Sequence, residues 1–285
     1  MFQLKDLLFE QAGRSTELSV SNAIGVYEQN CKSHTPINRK IWRGTNASFS
    51  SGLGVVNPKE SKRTSVGDSG NHYTLLLDNL KSWSDFPKRS RSLICAMSRE
   101  IASGFGTPYV IIPFDGADLA VAPRHDIWYS FQRGLSRVFD LDKPYANLPD
   151  TNKALDILYH FSENKSENTK NISGVNDKEW SSFAGSLKKI DDNIDVIKRR
   201  IESIDESESR VEHHIASKIT GKVMKSSSSL VELLSEALNP GLNGFVKKEY
   251  KKGFKTRTKN MEVWTESKCL MVRGDLYDDF IKEVN

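Results

Sequence analysis

Long apolar runs are missing from this chain. Nowhere do its 285 residues approach the roughly 18 consecutive apolar positions that a membrane span requires, so no transmembrane segment is expected. The opening stretch, MFQLKDLLFEQAGRS, interrupts its apolar positions with Lys5, Asp6 and Glu10. That pattern argues against a secretory signal and for a cytoplasmic protein. Cysteine is scarce: Cys31, Cys95 and Cys269 cannot all pair, and the last two lie in the apolar runs SLICAM and KCLMV. A small buried thiol in a reducing compartment is the ordinary reading of such positions. Neither sign of charge dominates. Forty-one Lys and Arg against 37 Asp and Glu leave a net charge of +4, so overall charge does not by itself establish nucleic-acid binding. Several motifs are also missing. The chain has no GxxxxGK[ST] loop, no GxGxxG between strand and helix, no HExxH and no CxxC pair. His213 and His214 are adjacent, and His34, His72, His125 and His160 are scattered, so no metal is expected.

What is present reads as one large or two smaller soluble domains, with 37% apolar and 27% charged residues. Helical patterns open the chain near 2–12 and 17–31, and residues 44–71, rich in Gly, Ser, Thr and Asn, read as a long loop. HYTLLLDNL predicts a helix, SLICAM a strand, and SREIASGFG a short helix stopped by glycine. YVIIPF, Tyr109 to Phe114, is short, β-branched and closed by Pro113 and Gly116, which predicts a strand. DLAVAP and the WYSF region add further elements. Residues 159–180 are polar and read as an exposed linker. Beyond them Leu187, Ile190, Ile194, Ile197, Ile201, Ile204, Val211, Ile215 and Ile219 recur at helical spacing without Gly or Pro. They predict one long amphipathic helix, packed on its own protein or free to meet a partner through 186–222. A second helix near 228–238 ends at the breaker NPGLNG.

The run FVKKEYKKGFKTRTK, residues 245–259, sets Lys247, Lys248, Lys251, Lys252, Lys255, Arg257 and Lys259 against the single acid Glu249, with Phe245, Tyr250 and Phe254 interleaved. It reads either as a solvated face or as a surface that neutralises phosphates and stacks bases. It leads directly into KNMEVWTESKCLMV, a strand, a tight polar break and a second strand. Glu262 stands inside the first apolar run of that hairpin, where a solvated loop acid is not expected.

Three stretches then stand out: IWRG (41–44), KRSRS (88–92) before LICAM, and NMEVW (260–264). In order and local setting they resemble the Arg–Ser–Glu signature of the ADP-ribosyltransferase family, in its toxin-like class. The resemblance covers residues 38–135 and 245–285. It implies an α+β fold: a mixed two-sheet core around a cleft with helices outside, formed by 1–145 and 245–285, with 146–244 as a helical insertion. It further implies that NAD is the substrate. Arg43 would hold the NAD phosphates or ribose, Ser90 and Ser92 would brace the pocket, and Glu262 would carry the catalysis. Tyr73 and Phe114 are candidates to line the nicotinamide site.

The chemistry gives these residue types their reasons. Breaking the nicotinamide–ribose bond puts positive character on the sugar, as in glycoside hydrolysis. A fixed carboxylate stabilises that charge, and a guanidinium offers a planar donor fork to a diphosphate. Glu266 competes with Glu262 for the catalytic place, although Glu262 runs directly into the apolar VW. In this family the residue two before the catalytic glutamate helps to choose the acceptor. Asn260 stands there and suits an uncharged or nucleobase acceptor rather than an arginine side chain. Target recognition is thus expected from Asn260, Trp264, Glu266, Lys251, Lys252, Lys255 and Arg257. The resemblance implies mono-ADP-ribosyl transfer to a macromolecule, with RNA or DNA among the acceptors, and suits a toxin or a bacterial or phage effector. Two readings stand beside it: NAD hydrolysis by the same pocket, and a non-enzymatic nucleic-acid-binding or assembly protein.

Overall fold

The computed structural model describes residues 14–46, 49–60, 72–141, 155, 158, 177–203, 210–258 and 260–284. It divides into two compact units. One comprises Met1–Gly67, Asp85–Asp126 and Phe245–Asn285, and the other Asp68–Ser84 and Ile127–Gly244. The division returns to the sheet unit at residue 245. It also assigns 68–84 and 127–145 to the helical unit, whereas the expected catalytic domain included them.

The first unit is built on one nine-stranded sheet. Its strands are β1 (Arg14–Glu17), β2 (Ile41–Thr45), β3 (Leu53–Asn57), β4 (Leu93–Ala96), β5 (Thr107–Pro113), β6 (Asp118–Val121), β7 (Val246–Glu249), β8 (Glu262–Thr265) and β9 (Cys269–Arg273). The spatial order is β1-β3-β9-β5-β2-β4-β8-β6-β7, and every ladder is antiparallel. The class is therefore α+β as expected, but the strands form a single antiparallel order and not a mixed pair of sheets. The shortest junction joins β2 to β4, and the next shortest, with two register pairs, joins β6 to β8. β2 and β4 share the single register pair Trp42↔Ala96, while β2 pairs with β5, and β5 with β9, through five residues each. The sheet is thus joined most sparsely at this seam, between a five-stranded and a four-stranded portion.

Both faces of the sheet are covered, which is why YVIIPF shows no polar alternation. Ile41, Cys95, Tyr109, Ile111, Val263 and Met271 pack on one face with Tyr250, Phe254 and Met261. Trp42, Val110, Ile112, Leu270 and Val272 pack on the other. They meet Ala23 and Tyr27 of α1 (Val20–Asn30), Ala102 of α3 (Arg99–Ser103), and Phe280 and Ile281 of α11 (Tyr277–Val284). Ser19 caps α1 by accepting from the Asn22 amide, and Ser98 caps α3 by accepting from that of Ile101.

The Gly- and Ser-rich stretch 44–71 is not a continuous loop, because its middle forms β3 between β1 and β9. Glycine there reflects close packing: a Cβ on Gly54 would lie 2.4 Å from the Phe49 ring. The first expected helix, 2–12, falls outside the described residues.

The second unit holds α2 (His72–Asn79), α4 (Ile127–Ser130), α5 (Gln132–Phe139), α6 (Asp177–Asp192), α7 (Ile194–Glu202), α8 (Arg210–Lys225), α9 (Leu230–Ala237) and α10 (Pro240–Asn243). The expected single helix over 186–222 is therefore three helices. Asn193 makes the first break: it leaves the helical region at φ −114°, ψ 20°, and its side-chain amide donates to the Lys189 carbonyl at 2.8 Å. Asparagine competes in this way for the backbone bonds that would continue a helix. Leu187, Ile190, Ile197, Ile201, Ile215 and Ile219 are all buried, so most of the apolar stripe is core and not a free partner face. Ile204 and the greater part of the expected linker fall outside the described residues. Ser229 and Glu232 form a capping box on α9.

Candidate active site at the parting of two strands

Arg43, the KRSRS stretch and Glu262 are far apart in sequence, yet they sit on three consecutive strands of the sheet. Arg43 lies on β2, KRSRS runs into β4, and Glu262 opens β8. Ala96 pairs with Trp42 on one side and with Glu262 on the other. Glu262 is therefore level with Trp42, the neighbour of Arg43, two strand spacings or ~10 Å away across the sheet.

The pleat gives Arg43 and Glu262 different faces. Arg43 pairs with Tyr109 of the first core cluster, whereas Glu262 shares a row with Ala96 and with Trp42 of the second. Arg43 nonetheless turns into the seam. The β2–β4 ladder does not continue past Trp42↔Ala96, and Arg43 Nη1 donates to the Ile94 carbonyl of β4 across the parting. Gly44, which completes the Arg-Gly pair, has a local cause: a Cβ there would fall 1.8 Å from the Ala102 carbonyl oxygen of α3. Only glycine lets that helix pack against this part of β2.

The side chain of this stretch that hydrogen-bonds Glu262 is Arg89, the neighbour of the expected bracing serine Ser90. Residues Arg89–Arg91 form a 3-10 turn, and Ser92 Oγ donates to the Lys88 carbonyl at 2.7 Å. Ser90 is buried in the same turn. Arg89 is the group that reaches the acid, its Nη1 donating to Glu262 Oε1 at 2.5 Å. The pair is dry, with side-chain exposures of 3% and 11%. The Arg89 guanidinium also lies 5.2 Å from the Trp264 ring centre. That indole is fixed in turn by its Nε1 donating to the Pro87 carbonyl at 2.9 Å and by the edge of Phe245. Sequence reasoning passed over Arg89 because SxS looked like the motif. The available signal was the basic residue preceding each serine, matched by the two acids of EVWTE.

Glu266 is placed differently. It accepts from the Lys88 amide at 2.9 Å and from Arg91 Nη2 at 3.1 Å, so it ties the KRSRS turn to the end of β8. Trp264 is 1% exposed and serves as core packing, which removes it as a target contact. Phe114 closes β5, five residues beyond the Tyr109 that pairs with Arg43, and packs against the second core cluster. Tyr73 is a buried residue of α2, in the helical unit.

The basic segment divides as well. Phe245, Tyr250 and Phe254 are buried, so the interleaved aromatics are core residues and not a stacking platform for bases. Tyr250 and Tyr277 hydroxyls flank the two ring nitrogens of His34 at 2.6 and 2.7 Å. Burial pushes the His34 pKa down to about 4, with Lys40 adding to the shift. Lys251, Lys252, Lys255, Arg257 and Asn260 are exposed. Their segment is stitched to the turn before β2, where the Arg39 amide donates to the Phe254 carbonyl and Arg39 Nη1 to that of Thr256. The Glu262 amide donates to the carbonyl of Arg124, whose side chain is exposed. A cationic rim thus lies beside the strands that carry Arg43 and Glu262.

Burial drives the Cys31 thiol up to about 12 and raises that of Cys269, so both are inert. Among the described residues no group of His, Cys, Asp and Glu is assembled that could hold a metal, and no helix is long and apolar enough to cross a membrane. No protein-family model matches the chain, and neither does a curated protein or a solved structure.

Proposed function

We propose that this protein is a mono-ADP-ribosyltransferase, which moves ADP-ribose from NAD to a macromolecular acceptor at the β2–β4–β8 seam. The observation that carries the reading is the convergence of Arg43, KRSRS and Glu262 on three adjacent strands, although more than 160 residues separate KRSRS from Glu262. In this reading the diphosphate lies against the Arg43 guanidinium and the nicotinamide ribose lies near Glu262. Because the pleat turns these two side chains to different faces, this reading puts the nucleotide at the seam of β2 and β4, which Arg43 crosses to reach the Ile94 carbonyl.

The C1′–nitrogen bond breaks and its electron pair leaves on nicotinamide. An acceptor lone pair forms the new bond to C1′, and the acceptor gives up one proton. The Glu262 carboxylate stabilises the oxocarbenium-like charge through the ribose hydroxyl and is placed to receive that proton.

Glu262 is preferred over Glu266 on geometry. Oε1 of Glu262 is anchored by Arg89, and among the described residues Oε2 accepts no hydrogen bond. Both oxygens of Glu266 are drawn to Arg91, and Lys59 stands 4.0 Å from Oε2. The exposed Lys251, Lys252, Lys255 and Arg257 favour a polyanionic acceptor such as RNA or DNA. Incubating the protein with NAD labelled in the adenylate and whole-cell extract tests the reading, with nuclease and protease digestion locating the label. Label on nuclease-sensitive material is expected. Free ADP-ribose alone would instead indicate hydrolysis, and intact NAD would refute the enzyme.

A further inference from the structure

We infer that Arg89 is the positioning residue that aims the Glu262 carboxylate, an assignment that rests on the transferase reading above. A catalytic carboxylate must present one oxygen to the reacting sugar in a fixed direction, and a glutamate side chain has three torsions to fix. Arg89 supplies the constraint. Its Nη1 takes Oε1 at 2.5 Å, and among the described residues Oε2 accepts no hydrogen bond, so Oε2 is the oxygen assigned to the sugar.

The anchor is itself held on two sides. Its guanidinium lies over the Trp264 ring, and the chain beside it is fastened by Trp264 Nε1 to the Pro87 carbonyl and by the Lys88 amide to Glu266. Arg89 is 3% exposed and its Nη1 is already given to Glu262, so the diphosphate is assigned to Arg43, itself buried at 7%, and Arg89 to the acid. A buried guanidinium also keeps its charge at any working pH, which makes it a permanent counterion for the acid. The pairing is specific to one place in the motif. Arg91, two residues on, is half exposed and serves Glu266 instead.

The test compares wild type, Arg89→Gln and Arg89→Lys for NAD affinity by calorimetry and for the rate of nicotinamide release. If Arg89 acts through Glu262, Arg89→Gln binds NAD within about twofold of wild type and releases nicotinamide about 100-fold more slowly. Arg89→Lys, which keeps the charge but not the planar fork, recovers about a tenth of the wild-type rate. If Arg89→Gln does not fold, Arg89→Lys carries the test alone, with a tenfold lower rate at unchanged affinity as the supporting result. Wild-type rates in either folded variant overturn the assignment, as does a parallel loss of affinity and rate. A wild-type protein that binds NAD but shows no dependence on Arg89 refutes this inference only. A wild-type protein that gives no heat with NAD and leaves it intact refutes the underlying reading as well.

Discussion

The two glutamates that bracket β8 each face an arginine of KRSRS, yet their surroundings differ in almost everything else. At the first end Glu262 and Arg89 are enclosed, with side-chain exposures of 11% and 3%. Just past the other end Glu266 is tied to Arg91, whose side chain is 49% exposed. The residue types are the same and the spacing along the chain nearly so, but the surroundings decide what each pair can do. Water screens the outer pair, so it contributes little beyond fastening a turn. The inner pair is far costlier to break, because either partner left alone would be a buried uncompensated charge. A carboxylate held by one oxygen in a dry site is also a better instrument for stabilising developing charge than one already saturated by donors.

Substitution at the inner end should produce the largest effect. Glu262→Gln is expected to lower the rate of ADP-ribosyl transfer at least 1,000-fold and to cost about 3 kcal/mol in urea unfolding, because Arg89 loses its counterion. A variant as stable as wild type would show that burial does not distinguish the two ends.

Buried His34 extends the contrast to pH. The unfolded chain takes up a proton near the ordinary histidine value of 6.5, whereas the native protein resists until about 4. The stability is fully present above 6.5 and is lost as the pH falls toward 4, by roughly 3 kcal/mol from this group. Unfolding midpoints at several pH values check this, and His34→Gln should flatten the slope.

At the outer end, Glu266→Gln should cost less than about 1 kcal/mol and leave transfer within about threefold of wild type. A large loss of activity there would exchange the roles of the two acids. The smallest effect on folding belongs to the exposed cations. Replacing Lys251, Lys252, Lys255 and Arg257 together by glutamine should leave stability nearly unchanged and reduce the salt dependence of binding to RNA or DNA. An unchanged salt slope would detach the rim from the acceptor.

Much of the sheet was legible because its strands announce themselves. LICAM, YVIIPF and the hairpin around residues 262–273 are apolar and closed by breakers, and the structure makes each a strand. β3 was not legible. Its LGVVN lies among Gly and Ser, and the pairing that makes it a strand comes from β1 and β9, both distant in sequence. The continuous helix failed for a similar reason: the apolar period runs straight through Asn193, and periodicity does not register a chain that turns and packs its stripe on itself.

At the site, the sequence located KRSRS and EVWTE but not which side chains meet. Which of five consecutive residues faces inward depends on a 3-10 turn whose phase no pattern encodes. The basic run misled in the opposite sense, since its aromatics complete the core of the sheet and only its cations remain outside.

In the proposed transferase a guanidinium on β2 and a carboxylate on β8 act on one dinucleotide at the β2–β4–β8 seam. NAD titrated into wild type, Arg43→Lys and Glu262→Gln, with nicotinamide release followed in each, separates binding from chemistry. Arg43→Lys is expected to weaken NAD binding by about tenfold, and Glu262→Gln to bind NAD normally but release almost no nicotinamide. Nicotinamide release by Glu262→Gln at the wild-type rate would remove the carboxylate from the mechanism.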